Sequence, residues 1–115
     1  MSEPNDGACC CSPTSADCCA APTETKTAVQ SAAEEKFGDF MRAVNASGAI
    51  SLRTKELMAI SLSVLSKCEP CIKIHIEKAR AMGISEEEIN EAVWMAISFG
   101  GAPVRMFYES VMNRI

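Results

Sequence analysis

The first 26 residues contain no Leu, Ile, Val or Phe. A stretch made largely of Ser, Thr, Pro, Ala and Cys cannot bury enough apolar surface to offset the entropy of ordering it, so residues 1–26 read as a flexible tail. Positive charge is scarce: 11 Lys and Arg stand against 15 Asp and Glu, a formal net charge of −4. A nucleic-acid partner needs a basic face to neutralise phosphates, and that class is set aside. Long apolar runs are missing too. The longest nearly apolar stretch, Leu57 to Leu65, is far too short to cross a bilayer, so no membrane partner is expected. The opening Met1-Ser-Glu-Pro-Asn-Asp has neither the basic start nor the apolar run of a secretory signal, and a cytoplasmic location follows as the expectation. No window alternates apolar and polar residues as a half-buried strand would. Histidine occurs once, at His75.

Cysteine, by contrast, is plentiful, with seven in 115 residues. In a reducing compartment such a number does not suggest a structural disulfide framework, and redox chemistry or metal binding becomes the default. Residues 27–115 read as one all-α domain of about five helices. Val29–Val44 places Phe37, Phe40, Met41 and Val44 on one face, and Asn45-Ala-Ser-Gly48 ends it. Thr54 is a suitable N-cap for a helix over Lys55–Ser66, whose apolar residues nearly surround it and predict burial on most sides. A third helix runs from near Cys68 to Met82, stopped by Gly83. Ser85 with Glu88 forms a capping-box pattern for a fourth, with Ile89, Ala92, Val93 and Ala96 as its buried stripe. Gly100-Gly101 breaks that helix, and Pro103 opens a fifth to Arg114 that buries Val104, Phe107 and Val111. Trp94 reads as core or subunit contact. A domain this short buries a modest share of its surface, so oligomerisation is expected.

The chemistry concentrates on the third helix. Cys68, Cys71, His75, Ala79 and Met82 recur at helical spacing on one face, while Glu69, Lys73, Lys78 and Arg80 fall on the opposite side. A Cys-x-x-Cys pair at a helix N-terminus has a physical rationale. The dipole and free N–H groups stabilise a thiolate, and the second sulfur lies one turn away, within reach of a disulfide. His75, one turn beyond Cys71, is placed to take a thiol proton. From Arg53 to Arg80 six basic residues face Glu56, Glu69 and Glu77 alone, a balance that also favours thiolate. Glu56, near the start of the preceding helix, is a candidate to orient His75, although a glutamate in a first helical turn is also ordinary dipole chemistry.

Glu56, Cys68-Glu-Pro-Cys71, His75 and Ala79 together resemble the E-x11-C-x2-C-x3-H-x3-A signature of the AhpD-like (alkylhydroperoxidase D) branch of the carboxymuconolactone decarboxylase family. The likeness extends from about Phe37 through Gly101 and includes the Leu52-Arg-Thr-Lys-Glu56 helix opening. It implies an AhpD-like helical domain that assembles into trimers or hexamers, with active sites close to subunit contacts. It also implies a thiol-dependent peroxidase, or a disulfide reductase serving a peroxiredoxin partner, with Cys68, Cys71, His75 and Glu56 as catalytic residues. No tightly bound cofactor is implied; an external dithiol would be the electron donor. The decarboxylase branch lacks the cysteine pair, which argues against muconolactone chemistry here. One departure is notable: many members carry a second histidine or an aromatic residue between the cysteines, where this chain has Glu69-Pro70. The first attacker is left open by the residues. Helix-terminal placement favours Cys68, whereas the histidine and the resemblance favour Cys71.

The tail holds Cys9-Cys10-Cys11 and Cys18-Cys19, five cysteines within eleven residues and outside the family's core pattern. Adjacent cysteines do not easily close an unstrained disulfide on themselves. Several flexible thiolates can instead wrap a soft ion such as Zn(II), Cu(I) or trivalent arsenic. The alternative function is therefore a soft-metal or metalloid binder acting through Cys9, Cys10, Cys11, Cys18 and Cys19.

Overall fold

A computed structural model describes residues 27–115 as five helices with no strand. They are α1 (Ala28–Asn45), α2 (Leu52–Leu65), α3 (Glu69–Ala81), α4 (Glu86–Gly100) and α5 (Ala102–Met112). The fold class is the all-α one expected. The chain divides into two compact units at Phe40/Met41. In the first, the helical residues up to Phe40 include no buried side chain, and the Phe37 and Phe40 rings lie 6.4 Å apart.

In the second unit the core is aliphatic. Ile60 and Val64 of α2 meet Ile72, Ile76 and Ala79 of α3, Ile89, Val93 and Ala96 of α4, and Val104 and Val111 of α5. Each fully buried aliphatic side chain of this size stabilises the fold by about 1.5–3 kcal/mol, an upper estimate because the unfolded chain is itself partly collapsed. The α4 stripe is the one its spacing predicts, and Ser85 and Glu88 close the expected capping box: the Ser85 N–H donates to Glu88 Oε2 at 3.0 Å, and the Glu88 N–H to Ser85 Oγ at 3.2 Å.

Three expectations change. Helix α2 begins a turn earlier than Lys55, with Ser51 rather than Thr54 as N-cap, because Ser51 Oγ accepts from the Thr54 N–H at 3.2 Å. It is also not buried on most sides. Its buried residues are Glu56, Ile60, Ser63 and Val64, on the side packed by neighbouring helices, while Met58, Leu62 and Leu65 remain exposed. Of the two places expected for Trp94, the core is excluded: it is 55% exposed, with the Arg105 guanidinium 5.5 Å from its ring centroid. Among the described residues no helix is long and apolar enough to cross a membrane.

Candidate active site

Two helix ends and one buried glutamate build the site. Helix α2 closes with a Schellman turn, in which the Lys67 N–H donates to the Val64 carbonyl at 3.1 Å and the Cys68 N–H to the Ser63 carbonyl at 3.0 Å. Those bonds fix where the chain re-enters helix. Lys67 occupies the left-handed position of that turn, with φ 55°. Cys68 is thereby set as the N-cap of α3, in extended conformation and with no side-chain capping bond. Its carbonyl accepts the first intrahelical bond, from the Ile72 N–H at 3.0 Å. Pro70 has no N–H, so Glu69 and Cys71 supply the free donors of the first turn.

Cys68 and Cys71 are joined as a disulfide across this turn, with Cα atoms 5.2 Å apart. Both are half-buried. The residue between them that carries charge, Glu69, is engaged by two cations: Lys73 Nζ at 3.0 Å and Arg114 Nη2 at 2.7 Å. Lys73 first, then Arg114, holds the Glu69 carboxyl below its ordinary value. Its negative charge is thus balanced beside the sulfurs, and Arg114 ties the chain beyond α5 to the start of α3.

One turn past Cys71, the His75 ring is 24% exposed, and its Nδ1 lies 2.7 Å from Oε1 of Glu56. Glu56 is only 3% exposed, and its other oxygen, Oε2, accepts from Lys78 Nζ at 2.7 Å. Because the carboxylate faces Nδ1, that nitrogen is the donor, and a neutral His75 carries its lone pair on Nε2. The pattern is chemically coherent: an oriented imidazole on the same helix as a dithiol, steadied by a buried carboxylate. Beside His75 lies an apolar cleft of about 460 Å³, walled by Met41, Val44, Leu62 and Leu65 with Ser63 and Ser66.

The structure brings Glu56 and His75 into contact across 19 positions, and it places Cys71 one turn and Cys68 two turns before that histidine. It moves Lys78, which helical spacing assigned to the side opposite the cysteines, onto the site. The missed signal is its distance of three from His75, which makes the two residues neighbours on α3. Met82 is the C-cap of α3. The larger hollow, about 660 Å³ between α2 and α4, is lined by Met58, Leu62, Met95 and Phe99 and contains neither cysteine nor histidine of the site. Among the described residues no three His, Cys, Asp or Glu side chains converge to hold a metal ion. Cys9, Cys10, Cys11, Cys18 and Cys19, the expected soft-ion ligands, lie outside the described residues.

Comparison with known proteins adds relatives to this geometry. The pattern of the carboxymuconolactone decarboxylase family matches residues 31–108. An uncharacterised protein of Cupriavidus necator is 31% identical over 78 residues, which are 68% of this chain and 69% of that protein. An uncharacterised protein of the Paracoccus denitrificans cox locus is 38% identical over 63 residues, 55% of this chain and 57% of its own length. An alkyl hydroperoxide reductase AhpD of Corynebacterium kroppenstedtii is 33% identical over 69 residues, 60% of this chain but only 39% of that protein. Among solved structures, a carboxymuconolactone decarboxylase family protein from Legionella pneumophila superposes with a TM-score of 0.66 at 29% identity, covering 72% of this chain and 74% of that one. One from Thermotoga maritima gives 0.66 at 30% identity, covering 71% and 84%.

Proposed function

The chain belongs to the carboxymuconolactone decarboxylase family, and on that basis we propose that it is a thiol–disulfide oxidoreductase with thiol-dependent peroxidase activity. The observation that carries this reading is the order of groups along α3: a Cys68–Cys71 pair at its N-terminus, then His75 one turn on, bonded at 2.7 Å to the buried Glu56. Decarboxylation of a muconolactone has no evident use for such a pair. Relatives named alkyl hydroperoxide reductase AhpD support the redox choice.

The steps follow from the groups present. In the reduced enzyme, the lone pair on His75 Nε2 takes the thiol proton of Cys71, leaving thiolate and imidazolium. The thiolate attacks the terminal oxygen of a hydroperoxide. An S–O bond forms, the O–O bond breaks, and the leaving alkoxide takes the proton from His75 to depart as an alcohol. The Cys71 sulfenic acid then meets the Cys68 thiol, so that an S–S bond forms and water leaves. An external dithiol returns two electrons and two protons by thiol–disulfide exchange, and a peroxiredoxin disulfide can enter in place of the peroxide. Cys68, as N-cap, has the Cys71 N–H within its own turn to stabilise a leaving thiolate.

We further propose that the protein acts as a homo-oligomer, a trimer or hexamer, with copies covering the exposed apolar side chains of α2 and α4. The reading is tested by peroxide consumption driven by dithiothreitol. Wild type should turn over, and Cys71→Ser should be inactive. Cys68→Ser should form a sulfenic acid at Cys71 that a dimedone probe traps. Trapping at Cys68 in Cys71→Ser would reverse the two roles.

A further inference from the structure

We propose that Lys78 is a positioning residue of this site: it holds the buried Glu56 carboxylate so that Oε1 stays on His75 and locks the imidazole with its proton on Nδ1. The inference rests on the redox reading above and adds a residue that the cysteine–histidine signature does not contain. Glu56 is 3% exposed, yet both of its oxygens are taken, Oε1 by His75 Nδ1 and Oε2 by Lys78 Nζ, each at 2.7 Å. The two donors stand three residues apart on α3, so one turn of that helix grips one carboxylate of α2 from two directions.

The division of labour is electrostatic. A buried carboxylate is costly unless a cation or several donors face it. While His75 is neutral, as a proton acceptor must be, it contributes a hydrogen bond and no charge. Lys78 supplies the cation in that state. When His75 takes the thiol proton, Glu56 faces two cations, and the thiolate balances the sum. Without Lys78, a buried carboxylate with only a neutral imidazole as partner is free to rotate off the ring, and that releases Nδ1. Lys78 itself is half-exposed. Its Nζ reaches Glu56 from solvent, and nothing places it on the reacting sulfur.

The test uses the full chain with 15N-labelled histidine. His75 is the only histidine, so its two ring nitrogens give one set of signals. The disulfide-bonded wild type at mildly alkaline pH, with no thiol proton for the ring to take, should show the ring in one neutral tautomer, protonated at Nδ1. Lys78→Met should show both tautomers in exchange, and its peroxide-driven Cys68–Cys71 disulfide formation should slow by about tenfold. Lys78→Arg should restore the single tautomer and most of the rate. Disulfide formation is followed on the tryptic peptide Cys68–Lys73, which separates these cysteines from the five in residues 1–26. Lys78→Gln replaces the Met variant if circular dichroism shows that one unfolded. A neutralised variant that keeps a single Nδ1–H tautomer overturns the proposal, and so does one with mixed tautomers and an unchanged rate. If the wild type forms no disulfide with peroxide, the redox reading fails on its own, while the tautomer comparison still decides whether Lys78 holds Glu56 and His75.

Discussion

Lys67 and Gly83 occupy equivalent places in two successive Schellman turns, and the contrast isolates a backbone effect. In the second, the Gly83 N–H donates to the Arg80 carbonyl and the Ile84 N–H to the Ala79 carbonyl, both at 3.0 Å. Both residues have positive φ, 55° at Lys67 and 77° at Gly83, where a Cβ is disfavoured by about 1–2 kcal/mol. A Cβ at Gly83 would meet nothing within 4 Å, so the cost of Gly83→Ala should be conformational alone. We expect it to lower stability by about 1 kcal/mol in urea melts. Lys67→Gly should raise stability by up to about 1 kcal/mol, since glycine's added unfolded-state entropy offsets part of the gain. A stabilised Lys67→Gly that also lost disulfide chemistry would show that the strained residue before Cys68 serves the site rather than the fold. At His75, replacement by Ala should slow peroxide-driven disulfide formation by about 10²–10⁴-fold, the usual worth of a positioned base. Glu56→Gln should fall between the two, because the amide keeps a hydrogen bond to the ring and loses the charge.

At the scale of elements, the N-terminus of α4 is fastened to that of α2 by Arg53, whose Nη2 lies 2.6 Å from Glu88 Oε1. Arg53 foremost, then the Ser85 backbone N–H, lowers the Glu88 carboxyl to about 2. A depressed carboxylate contributes stability above its unfolded value and loses it as pH falls through the folded one. The contribution should therefore be intact at pH 6 and vanish between about 4.5 and about 2. Thermal melts of wild type and Arg53→Met should differ by a small margin at pH 6 and converge near pH 2; a gap that persisted at pH 2 would point to packing by the arginine stem instead. The start of α4 was legible in the sequence because Ser85, Glu88 and the stripe Ile89, Ala92, Val93, Ala96 are all local signals. Helix α2 was less so. Ser51 and Thr54 are both good caps, and the choice between them depends on which hydroxyl meets which N–H. Its burial is less than its composition suggests, because an apolar helix surface does not say which side its own chain will cover. Within the site, Cys68, Cys71 and His75 are related by helix spacing and could be read directly. The contact of Glu56 with His75 spans 19 positions, so its place at the start of the preceding helix makes it a candidate only, and the family resemblance is what singles it out. Lys78 is not legible as part of the site, because a lysine on a helix reads as solvent-facing until the residue opposite it is known to be a buried acid.

For the molecule as a whole, the apolar surface left open is large for so small a chain. Met58, Leu62, Met95 and Phe99 are between 45% and 80% exposed, and all four line the hollow between α2 and α4. Covering side chains of this size is worth about 1.5–3 kcal/mol each when complete, enough for a few of them to drive association. Light scattering after size exclusion should give a trimer or hexamer, and Phe99→Asp should shift it towards smaller species; a wild-type monomer at micromolar concentration would contradict the oligomer. The catalytic claim has a more direct check on the same full-length protein. Reduced wild type and His75→Ala would each be treated with one equivalent of hydroperoxide at pH 7, and the Cys68–Lys73 tryptic peptide followed in time. Rapid conversion of that peptide to its internal disulfide in wild type, slowed at least a hundredfold in His75→Ala, is the outcome expected of a histidine-activated dithiol. Equal, slow oxidation in both proteins would contradict it.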